Sequence, residues 1–333
     1  MYDPGDLRVF DPILTGFALG YEDQTLYGER IFPITRTSTQ SGRYRIFDRS
    51  NWVIFPDRRE PGTVANEVRG GKWSLDTFKV VEHSLQSPIH DEEREEIASN
   101  GSFQEGAGLN LDPEQDATEL VTRSILLGHE KKVADLVRNT ATYPAGNTVT
   151  LAGASQWSDY TGGTSSTSNP VSDILTAIRK IKALTGRMPN TMVIPSDGIS
   201  YVENHPRVVD RFRQFSLMDE EAWKELSGFE GQILAVDSVY NAADNIDAAE
   251  VITSFWGKDV WIGLVDPQDG MRTKTFGKTF ARPYDQGDIR PTDKWREEAR
   301  KTDVVRVSQR YDVKVVSNVA GYLIKDAFAA AAF

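Results

Sequence analysis

The chain has 333 residues, 39% hydrophobic and 26% charged, which specifies a globular protein long enough for two or three compact units. Its formal net charge is -11 with no dense Lys/Arg block, which argues against tight gripping of nucleic acid through phosphates. The count of 0 cysteines excludes disulfides, thiolate metal sites and cysteine nucleophiles, and no apolar run approaches the ~18 residues of a membrane helix.

The N-terminus, MYDPGDLRVF, shows neither the basic nor the apolar region of a secretory signal. Residues 1–30 have scattered aromatics without a clean period and read as an extended arm, with one short helix near Leu14 to Leu19. Residues 31–90 read as a long β-hairpin. GRYRIF and NWVIF are strand-like, RREPGTVANEVRGG is rich in turn formers, and KWSLDTFKVVEHSL returns. An isolated two-stranded ribbon buries too little to be stable in water, so Trp52, Phe55 and Trp73 need a surface from elsewhere. Arm and ribbon are expected to find their apolar neighbours on sister copies.

Ser87 to Asn100 reads as a turn into a short acidic helix. Its carboxylates suit the positive end of a helix dipole better than a metal cluster, because no His/carboxylate spacing is specific. Asp112 followed by Pro113 starts a long helix whose apolar residues fall on more than one side, as expected of a spine contacted from several directions. His129 lies in it with no second ligand at i±4, and reads as a packed or surface residue. Residues 140–170 are rich in Gly, Ser and Thr and read as a loop or small β insertion, and as the hinge between units. Ile174, Ala177, Ile178, Ile181 and Leu184 then recur at helical spacing, with Asn169 or Ser172 available as cap and Gly186 as stop. DEEAWKELSG reads as a further helix, and GQILAVDSVYNA, EVITSFW and KDVWIGLVDP as strands, giving a mixed α/β unit over 171–290. The C-terminal stretch from Lys301 to Phe328 is strand-dominated.

The passage MVIPSDGISYVENH poses a question of chemistry. A serine at the end of a strand and the start of a helix is where many hydrolases keep a nucleophile. A nucleophile elbow is G-x-S-x-G, however, and Ser196 has Ile194 two positions before it. A triad also needs a histidine held by a carboxylate, and His83, His90, His129 and His205 have no supporting motif. The simpler reading makes Ser196 the helix cap, with His205 meeting terminal carbonyls at a helix end. Asp219, Glu220 and Glu221 sit at a helix start, where caps are common. No phosphate loop or dinucleotide fingerprint occurs. The chain therefore reads as a protein that is not an enzyme and binds no cofactor or metal, with a serine hydrolase using Ser196 and Asp197 as the catalytic alternative.

The order of these segments resembles the major capsid proteins of tailed bacteriophages, the family with the Hong Kong phage capsid fold. ERIFPITRTSTQSGRYRIFD is similar to the end of the family's arm entering its extended loop, and RREPG to the loop tip. DATELVTRSILLGHEKKVADLV resembles the spine helix, and GRMPNTMVIPSDGISYVENHPRVVDRF the axial strand and helix. KTFGKTFARP is similar to the last axial strand, and RVSQRYDVKVVSNVAGYLIKDA to the closing peripheral strands.

The resemblance implies an α+β capsid fold. It divides the chain into an N-terminal arm (1–30), an extended loop (31–90), a peripheral domain (91–170 and 291–333) and an axial domain (171–290). It implies a structural subunit that assembles with itself, as hexamers and pentamers, into an icosahedral head enclosing double-stranded DNA without sequence-specific binding. Intersubunit contacts are expected from Phe17 and Tyr21 of the arm and from Trp52, Phe55, Arg58, Arg59 and Trp73 of the loop. Implied partners are a portal protein and a separate scaffolding protein; no cross-link is expected at Lys72 or Lys79, which leaves strengthening to a decoration protein or to tight noncovalent overlap. The implied location is the virion, after assembly in the host cytoplasm, with no membrane. A cellular nanocompartment shell of the same fold is the nearer alternative.

Overall fold

The computed structural model describes residues 11–47 (except 22 and 24), seven positions between 54 and 67, and residues 73–95, 112–212 (except 162 and 164–166), 229–243, 249–268, 275–284 and 287–329. Helix α1 (Pro12–Gly20) begins where Asp11 accepts from the Ile13 and Leu14 N–H groups, with Pro12 at the first helical position. A single turn, α2 (Gly28–Ile31), leads into strand β1 (Ile34–Arg36). Strand β2 (Ser41–Phe47) pairs antiparallel with β3 (Trp73–Lys79), Phe47 opposite Trp73, as the roots of the expected ribbon. Ile54 apart, the expected NWVIF strand lies outside the described residues, as does the DEEAWKELSG helix.

Strand β4 (Val81–His90) pairs over its whole length with β13 (Thr302–Val315). This corrects the turn expected from Ser87. Ser87 to His90 remain extended because each has a ladder partner in β13, and helix starts only at 91. Helix α3 (Pro113–Arg138) is the expected spine, capped by Asp112 accepting the Glu114 N–H at 3.0 Å. Its buried residues do face several ways. Ala117, Val121 and Ile125 lie in small clusters with Val305 and Val307 of β13 and Leu14 and Ala18 of α1, while Val133, Ala134 and Val137 enter the main core.

Two five-stranded sheets organise the rest. In the first, β13 has β4 along one edge and β12 (Thr292–Glu297) then β11 (Gly277–Ala281) in succession along the other, with β1 beyond β11. The second runs β5 (Thr148–Thr150), β14 (Gly321–Lys325), β10 (Val260–Gly263), β6 (Thr191–Pro195), β7 (Gln232–Val236). Strands β8 (Val239–Asn241) and β9 (Ile252–Ser254) form a separate small hairpin.

Strand β6 is buried along its whole length, which explains its unbroken apolar run. Val193 enters the core shared with α3 and the Trp256, Trp261 and Phe276 rings. Met192 and Ile194 enter a second core under helix α4 (Pro170–Thr185). Helix α4 is capped by Asn169, ends at Gly186 with φ 71°, and buries Ile174, Ala177, Ile178 and Ile181 as its spacing predicts.

Strand pairing cuts across the expected division of the chain. KTFGKTFARP, expected as the last axial strand, is β11 and lies between β1 and β13 in the first sheet. Strand β14, expected among the closing peripheral strands, pairs with β10 and β5 in the second. The arm also differs from expectation, because its inner face has a home within the same molecule. Leu14 and Ala18 pack on α3, and Ile31 and Phe32 are fully buried. A Cβ on Gly277 would stand 2.1 Å from the Phe32 ring, so glycine is what lets β11 pass the arm so closely.

Candidate intersubunit surface

The serine question resolves first. Ser196 is the first residue of helix α5 (Ser196–Glu203), whose N-cap is Pro195, and no side chain caps this helix. The expected cap is thus corrected. Pro195 ends β6 and already occupies the cap position, so the Ser196 hydroxyl points elsewhere and donates to the Asp237 carboxylate just past β7. That hydrogen bond fastens the ends of two parallel neighbours in the sheet.

All four histidines are committed to other partners. His205 is buried; its Nδ1 accepts the Arg207 N–H at 3.3 Å and its Nε2 lies 3.2 Å from Ser168 Oγ. It therefore serves the start of helix α6 (Pro206–Phe212), correcting the expected meeting with terminal carbonyls. His129 is buried against Thr279 Oγ1 at 2.9 Å, His90 lies 3.1 Å from Thr302 Oγ1, and His83 lies 3.0 Å from Lys132 Nζ. A serine–carboxylate pair without an imidazole cannot pass its proton on as a triad does. Among the described residues no group of three or more His, Asp or Glu is arranged for a metal, and no helix is long and apolar enough to cross a membrane.

The ribbon's root is held on one face only. Tyr44, Phe78 and Val80 pack on Phe280 and Val316, with the Phe78 and Phe280 rings stacked at 4.5 Å. The Tyr44 hydroxyl donates to Asp76 at 2.7 Å, and burial next to that carboxylate pushes its pKa well above the ordinary tyrosine range. A Cβ on Gly42 would meet the Phe78 ring at 2.7 Å, so β2 can cross this ring only at a glycine. On the opposite face Leu75 is exposed, and farther out Ile54 and Val64 are 95% and 89% exposed.

The arm repeats this arrangement. Leu14 and Ala18 face α3 and Thr15 accepts the Thr292 N–H of β12, while Ile13, Phe17 and Leu19 are exposed, as is Leu120 on α3 itself. Monomeric proteins expose single apolar residues freely. Here they recur on two elements, each with its other face buried, which makes these outer faces the candidate contact surface.

The expected contact residues are spread over this surface and form no single pocket. Phe17 lies on the outer face of α1, Tyr21 is half-buried at that helix's C-cap, and Arg58 and Arg59 are exposed. Trp73 starts β3 opposite Phe47, and Trp52 and Phe55 lie outside the described residues. Sequence reading missed Ile13, Leu75 and Leu120. Leu75 had a visible signal: Leu75 and Phe78 fall on opposite faces of one strand, so that strand needs two apolar covers.

A buried joint ties the arm to the spine. Glu130 is 1% exposed and accepts from the Tyr27 N–H at 3.1 Å, the Gly28 N–H and the Trp256 indole N–H at 2.7 Å. Burial pushes its carboxyl up to about 7 against the opposing effect of these donors.

No protein-family model matches the chain. It is 26% identical to the major capsid protein of Burkholderia phage BcepMu over 325 residues, covering 96% of each chain. Its fold matches a crystal structure of a phage-related protein from Bordetella bronchiseptica, with TM-score 0.74 at 23% identity and 96% and 98% of the two chains covered. It also matches the capsid structure of the cyanophage P-SCSP1u, with TM-score 0.56 at 10% identity and 92% and 89% coverage. The chain is thus similar along nearly its whole length to a phage major capsid protein, and it has the α+β fold of phage capsid proteins.

Proposed function

We propose that the chain is the shell-forming subunit of a phage head, a structural protein that assembles with copies of itself around double-stranded DNA. The observation that carries this reading is the pair of half-buried projecting elements. Ribbon and arm each bury one apolar face at home and leave Leu75, Ile54 and Val64, or Ile13, Phe17 and Leu120, open to solvent. In an assembled shell these outer faces meet neighbouring copies in hexamers and pentamers. Obligate interfaces of that kind commonly bury more than ~2,000 Å². Repeated contacts between unlike surfaces close into a shell when their rotation closes.

Within the subunit we place the peripheral unit on the first sheet and α3, and the axial unit on the second sheet with α4 and α5. Residues 148–150 and 321–325 then join the axial unit, because they pair there. The contact set extends to Arg58, Arg59 and Trp73 of the ribbon and to Trp52 and Phe55. A portal protein, a separate scaffolding protein and a decoration protein complete the head, which is assembled in the host cytoplasm. The net charge of -11 suits a container that must later release its DNA. The test is expression alone and with a scaffolding protein, followed by electron microscopy. Closed shells or capsomers are expected, and soluble monomers under every assembly condition would overturn the reading.

A further inference from the structure

The ribbon joins the body at Val80, and the first residues of β4 carry a cluster that assembly does not account for. His83 projects from β4 between α3 and β13 and is half-buried. Lys132 Nζ of α3 lies 3.0 Å from His83 Nε2 and 3.5 Å from Nδ1, and donates to the Tyr311 hydroxyl at 3.1 Å. The His83 and Tyr311 rings stack at 4.3 Å, and the Lys132 ammonium also lies 4.6 Å from the Tyr311 ring centre.

An ammonium has three donors and no lone pair, so a lysine can bond an imidazole only through an unprotonated ring nitrogen. Here the ammonium lies beside the ring and along neither lone pair, 3.0 Å from Nε2 and 3.5 Å from Nδ1, so a proton added to His83 brings a second cation to contact distance. We propose that His83, Lys132 and Tyr311 form a proton-sensitive clasp at the root of the ribbon. Neutral His83 packs β4 against Lys132 of α3 and the Tyr311 ring of β13, and protonated His83 sets two cations at contact distance.

The other charged groups around His83 do not cancel this effect. From α3, His129 approaches the same Tyr311 ring edge-on, with centroids 5.3 Å apart, and is itself neutral, because burial holds it down at about 3. From β13, Asp312 is the carboxylate whose charge opposes the lowering of His83. It accepts the Lys79 N–H at 2.9 Å and lies 3.8 Å from Lys314 Nζ, so its charge is shared with other partners. Glu82, on the opposite face of β4, pairs with Arg310. Burial first, and Lys132 second, lower the His83 pKa, with Asp312 opposing.

The sign follows from that lowering. A histidine whose folded pKa lies below its free value of 6.5 contributes stability that is present above 6.5 and lost as pH falls through the folded pKa. Local opening at the ribbon root releases His83 to its free value. At one pH unit below that value, opening is favoured by up to about tenfold.

The experiment is hydrogen–deuterium exchange on the full-length chain at pH 7.5 and 5.5, corrected for intrinsic exchange rates. Protection of amides 81–85 is expected to fall by up to about tenfold at the lower pH. His83→Gln, which keeps an acceptor that cannot be protonated, should show equal protection at both pH values. His90→Gln, on the same strand, should retain the wild-type response, and Lys132→Met should shrink it by removing the facing cation. A flat wild-type profile, or a response that survives His83→Gln, would overturn the clasp. If that variant does not fold, an undiminished response in Lys132→Met overturns it instead.

Discussion

Raising the pH from 4.5 toward 7.5 is expected to weaken this fold at one identifiable carboxyl, that of Glu130. The side chain sits at the meeting point of α2, α3 and Trp256, 1% exposed, and no cation bonds it among the described residues. Ionising it leaves an uncompensated charge facing only dipoles. Folding therefore raises its pKa from the ordinary 4.5 to about 7. A carboxyl raised on folding contributes stability that is fully present below 4.5 and is lost as pH climbs through about 7. The loss over that window is about 3 kcal/mol.

His129 works in the opposite sense over part of this range. Burial lowers it to about 3, so its contribution is lost as pH falls below its ordinary 6.5. A wild-type profile alone would blend the two effects. Glu130→Gln separates them, because an amide resembles the protonated acid and cannot ionise. Urea unfolding of the unassembled chain, followed by circular dichroism at several pH values, reads the difference. The gap between wild type and variant should shift against wild type by about 3 kcal/mol between pH 4.5 and 7.5. A gap that stays constant, or moves in favour of wild type, refutes the assignment of an uncompensated carboxylate.

Phe78→Ala removes the ring stacked on Phe280 at the ribbon root and should cost about 3 kcal/mol in the same unfolding assay; a loss below ~1 kcal/mol would mean the cluster contributes little. Ser196→Ala loses one hydrogen bond to Asp237 and should cost about 1 kcal/mol, with particle yield unchanged in electron micrographs. A shell protein that failed to assemble after this change would contradict its purely local role. Phe17→Glu and Leu75→Lys alter exposed faces and should each move the isolated chain's stability by no more than ~0.5 kcal/mol, while cutting particle yield severalfold. Unchanged yield would remove that residue from the contact set.

Much of this molecule is written locally. Asp112-Pro113 and Asn169-Pro170 start their helices because cap and proline act within one turn, and Gly186 stops one because only its own backbone must turn left-handed. The alternation in KWSLDTFKVVEHSL marked the return strand of the ribbon before any partner was known. The collinear order of arm, ribbon, spine and strands was enough to indicate the family.

Tertiary structure alone decided which strands meet. β14 joins β10 and β5, and β11 joins β1 and β13, through ladders that link residues far apart in the chain, and an isolated strand's pattern does not say which sheet it enters. It also decided the chemistry of single side chains. Ser196 bonds Asp237 because proline already holds the cap, Glu130 is buried because α2 folds back onto α3, and the His83 pKa is lowered because folding buries it and brings Lys132 beside it. A residue's charge state and hydrogen-bond partner depend on groups brought close only by folding, and no local pattern of residues encodes them.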